Sequence, residues 1–284
     1  MNRDEALAKL QKTELDILSV VADFCESHHI TWFLDAGTLL GAARHGGFIP
    51  WDDDIDIAML RPEYDRFISL ASEGLPEGYS IHTYDNTHGY SAMFAKVYRD
   101  GTRFDTLETL DSQCEQGIFV DIFPYDLVSK DPVAERKQRR GAKWWQSVSY
   151  LYHSGEIVVP HKGALGFIEK SACKLAHRLV RMVNSRSVIK NRFEAHIHRV
   201  EFNNDDTVIE LAWPNIKGYI VGDLLPVSSL SFEGREFPVP HKWEQYLDQM
   251  YGDWRKMPDP DDRHTHLPIH LEFPDGSQWV SRDM

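Results

Sequence analysis

The sequence predicts an α/β (α+β) protein in which a mixed sheet is flanked by helices and carries a helical, basic insertion. Three patterns support that expectation. Apolar residues recur at three- and four-residue spacing near the N-terminus, short β-prone runs alternate with helices up to residue 123, and helical periodicity takes over from about 131 to 202. With 284 residues, 42% of them hydrophobic, the chain can bury a sizeable core.

Residues 4–29 place Leu7, Leu10, Ile17, Leu18, Val21, Phe24 and Cys25 on one helical face with charged residues between them, a helix suited to cover a sheet. A short strand is expected over 31–34. Gly37-Thr38 then opens a small-residue helix ending near Gly46-Gly47, and Phe48-Ile49-Pro50 leads into an acidic strand over 52–59. Arg61-Pro62 stops that strand, and Pro62 suits the first turn of a helix carrying Tyr64, Phe67, Ile68 and Ala71. Residues 79–84, 91–99 and 117–123 read as further strands. Beyond Pro124 helices are expected at about 131–153, 163–184 and 187–202, followed by a hairpin at 232–237 and a helix over 241–250 closed by Tyr251-Gly252. The last thirty residues read as loop. The chain divides accordingly into a core of 1–128, a basic helical insertion of 129–205 and a C-terminal part, 206–284, that packs back on the core.

The net charge of −13 argues against nucleic-acid binding, which draws on a basic surface. Residues 130–199 run against that average, with 15 Lys and Arg to 5 Asp and Glu. No run reaches the roughly 18 apolar residues of a membrane span, and the N-terminus lacks the apolar core of a signal peptide, so a cytoplasmic protein is expected. Cys25, Cys114 and Cys173 are odd in number and far apart, which offers neither a disulfide framework nor a Cys-x-x-Cys zinc site.

The chemistry is concentrated in Trp51-Asp52-Asp53-Asp54-Ile55-Asp56-Ile57. Strand alternation puts Asp52, Asp54 and Asp56 on one face. Carboxylates this close repel and raise one another's pKa unless a cation neutralises them, and oxygen-only ligands favour Mg²⁺ or Mn²⁺. Asp121, isolated in the apolar run Ile118-Phe119-Val120-Asp121-Ile122-Phe123, is costly there unless a cation lies beside it. With the two strands adjacent, Asp54, Asp56 and Asp121 form a triad able to hold metal over a nucleotide phosphate, Asp121 being a third ligand or a general base. Gly37 and Thr38 offer close backbone approach, a hydroxyl donor and a helix N-terminus to donor phosphates. Together these three pieces make the signature of the nucleotidyltransferase fold.

Other candidates are weaker. Arg44 could hold donor phosphate or balance nearby acid. Lys96 and Arg99 cannot face one site from a regular strand, and Lys96 has the better claim as a phosphate contact. His264 and His266 read as solvated, His196 and His198 diverge on a helix, and Trp144, Trp145, Tyr150 and Tyr152 read as helix packing rather than a choline cage. The stretch 166–183 is a cationic amphipathic helix suited to an anionic membrane surface.

The runs Leu34-Asp35-Ala36-Gly37-Thr38-Leu39-Leu40-Gly41-Ala42-Ala43-Arg44, Trp51 to Ile57 and Val120-Asp121-Ile122-Phe123-Pro124 closely resemble the LicD family, related to fukutin. Tyr251-Gly252-Asp253-Trp254 with Pro258 resembles its C-terminal motif, whereas the basic helices match none of its motifs. The resemblance implies transfer of phosphocholine, or a related phospho-alcohol or phospho-sugar, from a CDP-choline-like nucleotide-activated donor to a cell-surface glycan or its lipid-linked precursor. It also implies Asp54 and Asp56 as metal ligands, with Asp52 close by and Asp121 as third carboxylate. Two rivals remain: a nucleotidyltransferase that keeps the NMP on its acceptor, and a catalytically silent nucleotide- or glycan-binding protein.

Overall fold

The N-terminal helix α1 (Arg3–Ser27) begins at a capping box: Asn2 accepts from the Glu5 N–H, and Glu5 returns an acceptor to the Asn2 N–H. Its buried stripe of Leu10, Ile17, Leu18 and Val21 lies in the hydrophobic core. A computed structural model describes residues 1–156, 163–198, 201–213, 218–263, 265 and 267–281. The chain continues through β1 (Phe33–Leu34), α2 (Ala36–His45), β2 (Asp56–Leu60), α3 (Arg61–Glu73), β3 (Tyr79–His82), β4 (Ala95–Arg99), β5 (Arg103–Asp105), α4 (Leu107–Asp111) and β6 (Phe119–Leu127). The basic helices follow as α5 (Pro132–His153), α6 (Gly163–Val183) and α7 (Arg186–Glu194). The C-terminal part comprises β7 (Thr207–Glu210), β8 (Tyr219–Ile220), α8 (Val221–Leu224), β9 (Ser228–Phe232), β10 (Arg235–Val239), α9 (Trp243–Tyr251), β11 (His270–Glu272) and β12 (Gln278–Val280).

The main sheet is mixed, as expected, and β6 is its spine. On one side β6 pairs in parallel with β2 from Asp121 to Tyr125. On the other, β4 pairs antiparallel with residues 119–122 and β7 with residues 125–127. Pro124, which cannot donate to a ladder, falls between these two antiparallel partners. That is why the strand continues to Leu127 where the sequence reading ended it at 123. β1 and β3 complete the order β1-β2-β6-β4-β3, and β8 extends it from β7.

Several boundaries differ from expectation. The acidic strand starts at Asp56, not 52, because Pro50 and Trp51 form a turn in which the Asp52 N–H donates to the Ile49 carbonyl. The strand expected from 91 starts at Ala95, and the helix expected over 187–202 ends at Glu194. The supposed C-terminal loop contains β11 and β12, which pair with each other, and β11 also pairs with β5, Leu271 lying opposite Phe104. The hairpin of β9 and β10 turns on Glu233 and Gly234, both at positive φ as its tight turn requires. Its tip holds the loop after α2: the Glu233 N–H donates to the Gly46 carbonyl, and its carboxylate accepts from the Phe48 N–H.

The basic helices lie against the segment between β3 and β4. Ser149 donates to the Ser91 carbonyl, Arg186 donates to Tyr84 and Thr87 carbonyls, and Lys190 pairs with Asp85. Among the described residues no helix is long and apolar enough to cross a membrane.

Candidate active site

The register of the sheet assembles the site. Asp56 of β2 lies opposite Asp121 of β6, and Asp121 lies opposite Lys96 of β4, so the three side chains form one row across three strands. The Lys96 ammonium stands 2.5 Å from Asp121 Oδ1, both residues being buried. Arg99 faces elsewhere and donates to the Gly78 carbonyl.

Residues 52–55 approach this row as extended chain rather than as ladder-paired strand. Burial still alternates: Asp53, Ile55 and Ile57 are buried, while Asp52, Asp54 and Asp56 are intermediate. Burial first, then Asp54 and Asp53, push the Asp52 carboxyl up to about 8. Asp56 is raised well above the carboxylate range by burial and by Asp54, Asp121, Asp35 and Asp52. Asp121 rises to about 6, burial outweighing the Lys96 charge.

The glycine and threonine before this segment position it. A Cβ on Gly37 would stand 2.9 Å from Asp52 Oδ2, so the missing side chain is the space that Asp52 uses. The Thr38 hydroxyl, buried at the start of α2, accepts the Asp56 N–H at 2.8 Å. The Asp35 side chain caps Ala36 and accepts from the hydroxyls of Tyr125 and Tyr246, while the Asp35 N–H donates to the Asp56 carbonyl. Between them Ala36 takes φ +41°, a left-handed conformation uncommon outside glycine and frequent where function holds a backbone in strain. Arg44, in the last turn of α2, donates to the Trp254 carbonyl at 3.1 Å, which brings the C-terminal Tyr251-Gly252-Asp253-Trp254 motif to the acidic segment.

Three further residues join the site. Glu14 of α1 is fully buried, neither carboxylate oxygen has a hydrogen-bond partner among the described residues, and burial followed by Asp54, Asp53, Asp52 and Asp121 raises its pKa. A signal existed in the sequence: Glu14 shares the apolar face of Leu10, Ile17, Leu18 and Val21. Tyr251 is raised far above an ordinary phenol by burial and then by Asp56, Asp35, Asp52 and Asp54. Arg263 stacks 4.8 Å from the Trp51 ring centroid and repels Arg44, a proximity that only the fold creates. His264 and His266 lie outside the described residues.

Among the described residues no group of three or more His, Cys, Asp or Glu side chains is arranged to hold a metal ion, and Lys96 supplies the cation beside Asp121. The chemistry of the donor set nevertheless fits a hard divalent ion. Asp52, Asp54 and Asp56 are closely spaced oxygen acids, and burial and mutual repulsion raise Asp52 and Asp56, a cost that a cation would relieve.

Comparison with known proteins follows this geometry. A domain described as the LicD/FKTN/FKRP nucleotidyltransferase domain matches residues 29–162, which include every member of the cross-strand row. A lipopolysaccharide cholinephosphotransferase LicD of Haemophilus influenzae is 29% identical over 266 residues, 92% of this chain and 95% of that protein. A ribitol 5-phosphate transferase FKRP of Homo sapiens is 40% identical over 53 residues, 19% of this chain and 10% of that protein.

Proposed function

We propose, from the premise that this chain belongs to the LicD family, that it is a phosphotransferase moving a phospho-alcohol, phosphocholine above all, from a CDP-activated donor to a glycan acceptor. The observation that carries the reading is the row Asp56–Asp121–Lys96 beside Asp52 and Asp54. It puts clustered carboxylates next to a lysine on the inner strands of a nucleotidyltransferase-like sheet. Asp54 and Asp56, with Asp52 close by, would hold Mg²⁺ or Mn²⁺, which when bound neutralises charge on the donor's phosphates.

The residues of the chain do the rest. Lys96 contacts the transferred phosphate, Arg44 and the start of α2 face the donor's leaving end, and Asp121 accepts the proton of the acceptor hydroxyl. The acceptor oxygen forms a bond to phosphorus as the bond to CMP breaks, so CMP leaves with the electron pair. We also read α6 as a contact with an anionic membrane. It exposes Leu175, Leu179 and Met182 beside Lys174, Arg178 and Arg181, which would bring the enzyme to a lipid-linked acceptor.

The test is a panel of CDP-choline, CDP-ribitol, CDP-glycerol and nucleoside triphosphates, each with and without Mg²⁺ or Mn²⁺. Thermal stabilisation and ³¹P NMR of the released nucleotide are read on wild type and Asp54→Ala. A metal-dependent shift with CMP release, lowered at least about a hundredfold in Asp54→Ala, is expected. Release of pyrophosphate would assign nucleotidyl transfer instead, and a shift without turnover would assign a binding protein.

A further inference from the structure

Next to Lys96 lies a cavity of about 220 Å³ that no residue of the acidic segment lines. Its aromatic walls come from separate parts of the chain: Tyr90 and Phe94 before β4, Phe104 of β5, Phe119 of β6 and Tyr150 of α5. At that size, below the roughly 300 to 1,000 Å³ of a drug-sized site, it suits a compact headgroup rather than a nucleotide.

The walls favour a cation. Lys96 Nζ already sits 3.3 Å from the Phe119 centroid and 5.5 Å from that of Phe94. Glu108, which also lines the cavity, places a carboxyl group among these rings, and the Lys96 charge faces Asp121 at the acidic row. The walls also offer a polyol few free donors, because five of the lining hydroxyls already donate within the protein. Ser91 donates to Glu108, Thr106 to Thr109, Thr109 to the Thr106 carbonyl, Ser112 to the Thr109 carbonyl and Tyr90 to the Phe94 carbonyl. A polyol entering here could donate to Glu108 but would find most lining hydroxyl protons already engaged, whereas a trimethylammonium group has no hydrogen bonds to lose.

We infer that this cavity receives the quaternary-ammonium end of the transferred alcohol, and that Glu108 with the rings of Phe104 and Phe119 selects choline over glycerol or ribitol. The inference rests on the transfer reading above and adds the specificity pocket to it. The cavity shares Lys96 with the acidic row, so phosphate at that row leaves the alcohol one residue from the aromatic walls.

Calorimetric titration of the full chain with CDP, CDP-choline and CDP-glycerol, on wild type, Glu108→Gln and Phe104→Leu, tests it. CDP-choline is expected to bind at least tenfold tighter than CDP-glycerol. Each variant should cut that preference about fivefold or more, with CDP affinity moving less than twofold. Equal affinity for the two donors, or a preference that survives both variants, overturns the inference while CDP binding keeps the transfer reading intact. Should no cytidine nucleotide bind, the transfer reading fails. Titration with phosphocholine against glycerol phosphate then decides the pocket alone: a choline preference lost in both variants sustains it, and no preference overturns it.

Discussion

Gly37 and Asp52 show how one missing methyl group serves a site. Alanine at 37 would meet the free end of a carboxylate, which can rotate away, and it would gain helix propensity inside α2. Gly37→Ala should therefore leave the melting temperature unchanged or slightly raised. Transfer should fall about tenfold to a hundredfold as Asp52 is displaced. Parallel melting and rate measurements separate the two effects, and a loss of stability matching the loss of rate would assign Gly37 to folding alone. Gly37, Thr38, Asp52, Asp54, Asp56, Asp121 and Lys96 stood out as candidates because their residue types break an alternating apolar pattern, and the structure brings them together. That Gly37 and Thr38 also hold Asp52 and Asp56 was not legible, because only tertiary contact reveals a support. Tyr251 acts on the aspartates, and Arg263 on Trp51 and Arg44, from some two hundred residues away in sequence, a distance that no local pattern spans.

At the scale of elements, α1, α2, α3 and α5 were legible from periodicity and caps, and the hairpin of β9 and β10 from its Glu-Gly turn. Three-residue strands such as β5, β11 and β12 carry too few positions for alternation to show, and β5 and β12 take their ladders from β11 between them. The same scale holds the membrane question. On α6 the exposed Leu175, Leu179 and Met182 follow helical spacing, and Lys174, Arg178 and Arg181 run along one side. Each basic residue is worth about 1 kcal/mol near an anionic surface, and apolar insertion adds to it. The full chain should sediment with vesicles containing anionic lipid and not with neutral ones. Arg178→Glu, and separately the pair Leu175→Ser with Met182→Ser, should each weaken binding about tenfold, and raised salt should act on the wild type in the same direction. Equal partition to neutral and anionic vesicles, or binding untouched by either variant, would return α6 to an ordinary solvated helix.

For the whole molecule, so many buried acids in and around the sheet make stability depend on pH with a sign opposite to that of a salt-bridged protein. Asp52 is pushed up to about 8, and Glu14, Asp56 and Glu210 are raised well above the carboxylate range, burial being the first cause for each. In the unfolded chain these groups ionise near pH 4, so between about 4 and 8 the folded state binds more protons and stability falls as pH rises. His153 opposes this: burial lowers it to about 4, so it makes stability rise with pH from about 4 to its unfolded value near 6.5 and adds no slope above that. Above about pH 6.5 the carboxylates act alone. Without added metal, the melting temperature should therefore drop by several degrees from pH 6.5 to 8.5, Asp52 by itself accounting for about 1 to 2 kcal/mol. Millimolar Mg²⁺ should flatten the slope by compensating the ionised carboxylates, and Asp52→Asn should flatten it without metal. A melting temperature that holds or climbs over this range would mean that the cluster ionises in the folded protein without cost, and the electrostatic case for a cation between Asp54 and Asp56 would fall with it.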